Sequence, residues 1–293
     1  MKPFLKWVGG KTQIIDDVFS KFPTTINDYY EPFLGGGSVL LYLLQKQKEG
    51  KIKIRGKIIA NDINTNLINV YKVIQKDPRK LIKELKKLTD TYNSCKEDKM
   101  SEKPKRGVSV SETDSLKSKE AYYYWIRDQY NKNSDIKEAQ FIFLNKTCFR
   151  GVYRESKNGF NVPFGNYKNP SIYDENHILQ ISELIKDVLF INKSFENMID
   201  NVQENDFVYL DPPYYPENEK SFVDYNSSGF DEKMHKKLFQ CILGLKCKFV
   251  MSNSDVKFVR EYFKNYKIET IVCKRSINSK NPSSKTNEIM VYN

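Results

Sequence analysis

Four apolar residues, Phe207-Val208-Tyr209-Leu210, run straight into Asp211-Pro212-Pro213-Tyr214, and no other stretch of the chain restricts its fold as much. A continuous apolar run of this length, closed by turn residues, fits a strand buried on both faces in the middle of a sheet. Proline neither donates to a ladder nor belongs in a central strand, so the strand has to stop at Asp211. An acid, two rigid residues and an aromatic ring are thereby fixed at a strand end. Taken alone the tetrapeptide is ambiguous, because prolines that merely end a strand after an ordinary turn acid look the same. In its chemical reading, the Asp211 carboxylate and a backbone carbonyl of the turn each accept one hydrogen of a planar exocyclic amine. The Tyr214 ring then stacks on the base that carries the amine. An amine held so against an electrophile points to methyl transfer.

A second site precedes it at Tyr30-Glu31-Pro32-Phe33-Leu34-Gly35-Gly36-Gly37-Ser38. Aromatic and apolar residues lead into three glycines and an amphipathic run over 39–44 follows, which predicts strand, tight turn and helix. Glycines let a backbone approach a ligand at the carboxyl edge of a parallel sheet, where open α/β folds bind nucleotides. Further on, Lys57-Ile58-Ile59-Ala60-Asn61-Asp62 predicts another strand. It ends in an acid able to accept hydrogen bonds from both ribose hydroxyls. Loop and acid fit a dinucleotide or S-adenosylmethionine equally, and a glycine turn with a helix-capping Ser38 needs no ligand at all. The order of the motifs is more telling: loop, ribose acid and proline-locked acceptor all fall on one edge of one sheet. A dinucleotide-dependent oxidoreductase leaves the turn at 211–214 unexplained.

The net charge of +11 over 293 residues and the pI of about 9.1 favour a polyanionic partner through counterion release. Between 145 and 170 the chain carries Lys146, Arg150, Arg154, Lys157 and Lys168 against one acid, Glu155. Phe149, Tyr153, Phe160, Phe164 and Tyr167 are interleaved with them. Such alternation around Gly151, Asn158-Gly159 and Gly165 predicts a hairpin that enters a nucleic-acid groove, or else a solvated basic hairpin. Lys274, Arg275, Lys280 and Lys285 predict a less specific, phosphate-contacting loop. Five cysteines without a CxxC pair suit a reducing compartment. His177 and His235 lie far apart on predicted helices as surface or partly buried residues, and no metal is expected. With no apolar leader and no run of membrane-spanning length, a soluble, cytoplasmic protein is expected.

At these motifs the chain resembles the Dam-type DNA adenine-N6 methyltransferases, the D12 class or alpha group, which act on short palindromes such as GATC. The resemblance rests on Pro3-Phe4-Leu5-Lys6-Trp7-Val8-Gly9-Gly10-Lys11, Glu31-Pro32-Phe33-Leu34-Gly35-Gly36-Gly37 and Asn61-Asp62-Ile63-Asn64. Asn158-Gly159-Phe160-Asn161-Val162-Pro163-Phe164-Gly165 and the 211–214 turn complete it, in the family's order. It extends over most of the chain and is poor only near 51–56 and 91–119. The resemblance implies site-specific methyl transfer from S-adenosylmethionine to adenine N6 of double-stranded DNA, with the adenine flipped out of the duplex. It implies that Trp7 and Lys11 contact the cofactor, that Phe33, Gly35 and Gly37 form its loop, that Asp62 holds its ribose, and that Asp211, Pro212, Pro213 and Tyr214 form the catalytic turn, Asp211 also bordering the cofactor. DNA contacts fall to Arg150, Arg154, Lys157 and Lys168, and a restriction endonuclease is a genetic rather than a physical partner. Arg150 stands where several such enzymes carry Asn; Arg pairs with guanine, whereas Asn suits adenine. Another amino methyltransferase, acting on cytosine N4, RNA or a protein amide, more often carries Ser or Asn where Asp211 stands. A noncatalytic nucleic-acid-binding relative should have lost motif residues that this chain retains.

The expected architecture is α/β: a doubly wound, Rossmann-like methyltransferase sheet with an inserted helical target-recognition domain carrying a β-hairpin. Residues 1–74 and 187–293 form the catalytic, S-adenosylmethionine-binding domain, and 75–186 the target-recognition domain. Strands are predicted near 188–191, 207–210, 249–251, 268–272 and 289–292, and helices over 78–88, 120–131 and 135–144. The polar, serine-rich stretch 92–119 reads as a mobile loop. Phe222, Tyr225 and Phe230 serve either to hold displaced bases or to fill the core.

Overall fold

The apolar runs become strands of one mixed sheet in the computed structural model, which describes residues 1–96, 98–100, 110–216, 230–274 and 285–293, with only the backbone at 274, 285 and 286. In chain order the strands are β1 (Tyr29–Glu31), β2 (Ile58–Asn61), β3 (Val188–Ile191), β4 (Phe207–Leu210), β5 (Lys248–Ser254), β6 (Lys267–Lys274) and β7 (Lys285–Tyr292). Their spatial order is β6-β7-β5-β4-β1-β2-β3. All neighbours are parallel except β7, which runs against both β5 and β6. From β1 the sheet grows outward through β2 to β3, and on the other side from β4 to β5. β1 and β4 therefore flank the point where strand order reverses, and ligands of open α/β sheets sit outside the carboxyl ends there. This is the doubly wound sheet that the sequence predicts.

Strand alternation gives the sheet two unlike faces. Tyr30, Ile59, Val208, Leu210, Phe249, Met251, Ile289 and Val291 share one apolar cluster with Leu238, Phe239 and Ile242 of the helix Glu232–Leu243. Each such buried side chain contributes about 1.5–3 kcal/mol, so this face carries much of the stability. The alternate residues Tyr29, Glu31, Tyr209, Ser252 and Glu288 bear polar groups, and the same alternation continues to Asp62 and Asp211 just past β2 and β4.

His235, expected at or near the surface, is fully buried on the apolar side. It shares a helical stripe with Leu238, Phe239 and Ile242, at spacings of three, four and seven, so the helix has to turn it inward. Its ring lies 5.2, 4.8 and 6.0 Å from the ring centres of Tyr215, Phe230 and Phe239. Neither ring nitrogen has a hydrogen-bond partner among the described residues, and burial pushes the pKa down to about 4. Phe230 also packs on Phe33 and Phe195, a core role, while Phe222 and Tyr225 lie outside the described residues.

Packing divides the chain into two compact units, one made of Met1, 11–64 and 187–293, the other of 2–10 and 65–186. The first holds the sheet. The second is built on the helices Thr65–Lys76, Pro78–Ser94, Lys119–Asn131, Lys137–Thr147 and Glu175–Leu184. Pro78 pre-sets the first turn of its helix, and the Asp77 carboxylate caps it by accepting the Lys80 N–H at 3.1 Å. This helix outruns its predicted end because Leu81, Leu85, Leu88 and Tyr92 continue one buried stripe. The short helix Glu112–Ser115, capped by Ser111, likewise replaces part of the loop predicted over 92–119; residues 97 and 101–109 lie outside the described residues. No helix among the described residues is long and apolar enough to cross a membrane.

Candidate active site

The loop after β1 turns on two glycines. Gly35 (φ 50°) and Gly37 (φ 70°) hold left-handed backbone that a residue with a Cβ adopts only with strain. The Gly37 N–H closes the turn on the Leu34 carbonyl at 2.9 Å, and Gly37 is itself the N-cap of the helix Ser38–Lys48. Ser38 is thus the first helical residue rather than the cap, and its Oγ accepts the Lys11 backbone N–H at 3.1 Å. Phe33, half-buried, anchors the loop to the apolar face through Phe195 and Phe230, at ring-centre distances of 5.7 and 6.1 Å.

Asp62 stands at the end of β2. Its Oδ2 accepts the Gly35 N–H and its Oδ1 the Asn64 N–H, both at 2.9 Å, which leaves each oxygen a free lone pair. Burial pushes this carboxyl up, while the two backbone N–H groups pull it down. Beside it Ile63 is 73% exposed, an apolar surface next to the Asp62 carboxylate that the sequence alone did not single out.

Asp211, at the end of β4, is paired with Lys11. Lys11 Nζ lies 2.8 Å from Asp211 Oδ2, with Lys11 only 3% exposed. Burial pushes the Asp211 carboxyl up and the Lys11 charge opposes it. The same ammonium stands 5.0 Å from the centre of the Tyr214 ring, whose hydroxyl donates to Glu288 Oε2 at 2.7 Å. Asn253 Oδ1 accepts the Tyr215 N–H at 3.0 Å and Ser254 Oγ donates to the Tyr215 carbonyl at 2.5 Å. Two prolines without N–H groups, braced by the end of β5 and by β7, thus make a turn with little freedom.

Lys11, Phe33, Gly35, Gly37, Asp62, Asp211 and Tyr214 all belong to the first unit, around the carboxyl ends of β1, β2 and β4. Trp7 belongs to the second, half-buried and stacked on Tyr153 at 5.6 Å and Phe141 at 6.4 Å. Glu31, Ile63, Asn253 and Glu288 received no role from sequence. The signal lay in strand alternation, which puts Glu31 and Glu288 on the same face as Tyr209.

In the second unit Glu155–Ser156 pairs antiparallel with Gly159–Phe160, the predicted hairpin in its shortest form. Lys157 and Asn158 make its exposed tip. Three of its aromatic residues pack inward: Tyr153 and Phe160 lie against one another at 5.8 Å and Phe164 packs on Tyr123 at 5.5 Å, whereas Phe149 is exposed. They anchor the hairpin because apolar rings are worth more buried than solvated. Arg150, Arg154, Lys157 and Lys168 remain exposed. Arg154 Nε donates to Asn161 Oδ1 at 2.7 Å, fixing the two arms together. Arg150 has φ 58°, a left-handed conformation that costs a side-chain-bearing residue about 1–3 kcal/mol. The side chains of Lys274 and Lys285, with all of Arg275 and Lys280, lie outside the described residues.

A family profile described as D12 class N6 adenine-specific DNA methyltransferase matches residues 7–277. The chain is 39% identical to the type II methyltransferase M.MjaIII of Methanocaldococcus jannaschii, over 100% of this chain and 99% of that one. It is 33% identical to the type II methyltransferase M1.LlaDCHI of Lactococcus lactis, over 100% and 95%. To the DNA adenine methylase of Escherichia coli K12 it is 28% identical, over 95% and 90%.

Proposed function

This chain belongs to the D12 class N6 adenine-specific DNA methyltransferases and is an adenine-specific DNA methyltransferase, and we propose that its methyl donor is S-adenosylmethionine, held at the carboxyl ends of β1 and β2. When bound, that cofactor supplies a methyl group on a positively charged sulfur, already electrophilic. The observation that carries the reading is charge: Asp62 and Asp211 border the glycine loop, and Lys11, the lysine beside them, is already paired to Asp211. A dinucleotide pyrophosphate is repelled by such a rim, whereas a sulfonium is attracted. Asp62 offers free lone pairs to ribose hydroxyls, Gly35 and Gly37 admit the ligand close to backbone, and Ile63 offers an apolar face to its purine.

Asp211 accepts one N6 hydrogen of the target adenine and a carbonyl of the proline turn the other, so the amine lone pair is directed at the methyl group. Positive charge developing on N6 strengthens both bonds in the transition state. A paired base cannot reach this turn, so the adenine leaves the duplex and lies against Tyr214, whose ring Glu288 and Lys11 hold in place. Calorimetry tests the cofactor assignment. Asp62→Ala is expected to weaken S-adenosylmethionine binding by about 1–3 kcal/mol, from lost charged hydrogen bonds. Binding of NAD in place of S-adenosylmethionine would remove the assignment.

The second unit supplies target recognition, and residues 187–293 with the N-terminal strands the catalytic part. Arg150, strained and exposed, and Arg154 are the base-reading candidates, with Lys157 and Lys168 on phosphate; a short duplex site, GATC first, is the proposed target. Arg150→Ala is expected to cost about 1–3 kcal/mol on the cognate duplex and to relax one base position. Lys157→Ala should weaken all duplexes alike and reduce the salt slope by about one unit. Arg154 also braces Asn161, so Arg154→Lys complements the Ala variant. Competition binding at two salt concentrations checks all of these; equal losses on every duplex for both arginines would show that the hairpin does not read sequence.

A further inference from the structure

Glu31 ends β1 at the centre of the polar face and is 2% exposed. Its Oε2 accepts the Tyr29 hydroxyl at 2.7 Å, and no cation or backbone N–H bonds to it among the described residues. Around it stand Asp62 from the end of β2, Asp211 and Tyr209 from β4, and Tyr29 from its own strand. The nearby cation, Lys11, is committed to Asp211. Loss of solvation outweighs the Tyr29 bond, and both aspartates add to it, so the Glu31 carboxyl is pushed up to about 8.

We propose that Glu31 is the residue by which this site tells the sulfonium donor from its neutral thioether product: a neutral acid in the free enzyme, it loses its proton when S-adenosylmethionine binds and regains one once the sulfur is uncharged. This rests on the cofactor reading above. The Glu31 O–H bond breaks with its electron pair kept on oxygen, and the proton passes to solvent. Methyl transfer frees one proton from adenine N6 and Glu31 takes one up, so over a turnover the net proton leaves at the binding step. A carboxylate is thus present when the sulfur is charged and absent when it is not, which weakens the hold on product.

The test is calorimetry with S-adenosylmethionine and, separately, S-adenosylhomocysteine, in buffers of different ionisation enthalpy, with wild type, Glu31→Gln and Tyr29→Phe. The wild type is expected to release about one more proton with the sulfonium ligand than with the thioether at pH 7. Its preference for the sulfonium should rise about tenfold per pH unit between roughly pH 6 and 8. Gln keeps the acceptor for Tyr29 but cannot ionise, so Glu31→Gln should flatten that preference. Tyr29→Phe, which removes the bond favouring the carboxylate, should move the rise to higher pH. Equal proton counts in wild type and Glu31→Gln would overturn the inference while leaving the cofactor reading intact. Failure of the wild type to bind S-adenosylmethionine at all would overturn both.

Discussion

Asp211→Ala should lower the turnover number by about 10²- to 10³-fold, the loss typical of removing one preorganised electrostatic partner of a transition state. Binding of duplex DNA should stay within about tenfold, below roughly 1.4 kcal/mol, because the arginines and lysines proposed to hold the duplex are elsewhere in the sequence. A second effect follows from the ion pair. Removing the carboxylate takes the ion-pair partner from Lys11, which is 3% exposed, so the variant should also unfold at lower denaturant concentration. Asp211→Asn separates the two effects, since the amide oxygen still accepts from Lys11 while the negative charge opposite the developing cation is gone. Labelled methyl incorporation and urea unfolding on the same preparations decide the matter. Full incorporation by Asp211→Ala would remove the catalytic assignment.

Acid should destabilise this protein through His235 by about 3 kcal/mol in all. The unfolded imidazole titrates near 6.5 and the buried one near 4, so between those values the unfolded state binds the extra proton. The stability involved is fully present above about pH 6.5 and is lost as the pH falls to about 4. Asp231 and Glu232, at the start of the same helix, oppose the shift without cancelling it. His235→Leu replaces two unpartnered nitrogens with a side chain suited to the Tyr215, Phe230 and Phe239 rings. It should raise stability at pH 7 by about 1–3 kcal/mol and remove the dependence between pH 4 and 6.5. Urea titrations at half-unit pH steps measure both. An unchanged acid limb in the Leu variant would assign the loss to other groups.

Most of the sheet was legible because its strands are either fully apolar, as at 207–210, or bounded by turn residues. The glycine loop and the proline turn announced themselves for the same reason: each is a backbone geometry that few residues permit. The hairpin was legible but the direction of its rings was not, because basic–aromatic alternation looks the same whether the rings face a groove or a core. What decides between them is Tyr123, Tyr130 and Phe141, which pack on those rings from helices distant in sequence. Glu288 was hidden for a related reason, since its partner Tyr214 lies in the turn after β4, far from it in sequence. His235 could have been placed inside from its spacing to Leu238, Phe239 and Ile242, a stripe that outweighs the usual preference of histidine for water.

The two-faced sheet also makes position along a strand a kind of address. In β4, Val208 and Leu210 face the apolar cluster, whereas Tyr209 alternates with them and Asp211 follows in the same phase. Loss or gain of one residue between 207 and 211 would reverse that phase, sending the Asp211 carboxylate into hydrocarbon and two apolar side chains into the polar row. Substitutions along these strands are tolerated or punished one at a time, but a frame slip fails all at once. Sequence libraries that vary this enzyme should therefore hold strand length fixed and treat odd and even positions as separate alphabets, one searched for stability and the other for chemistry.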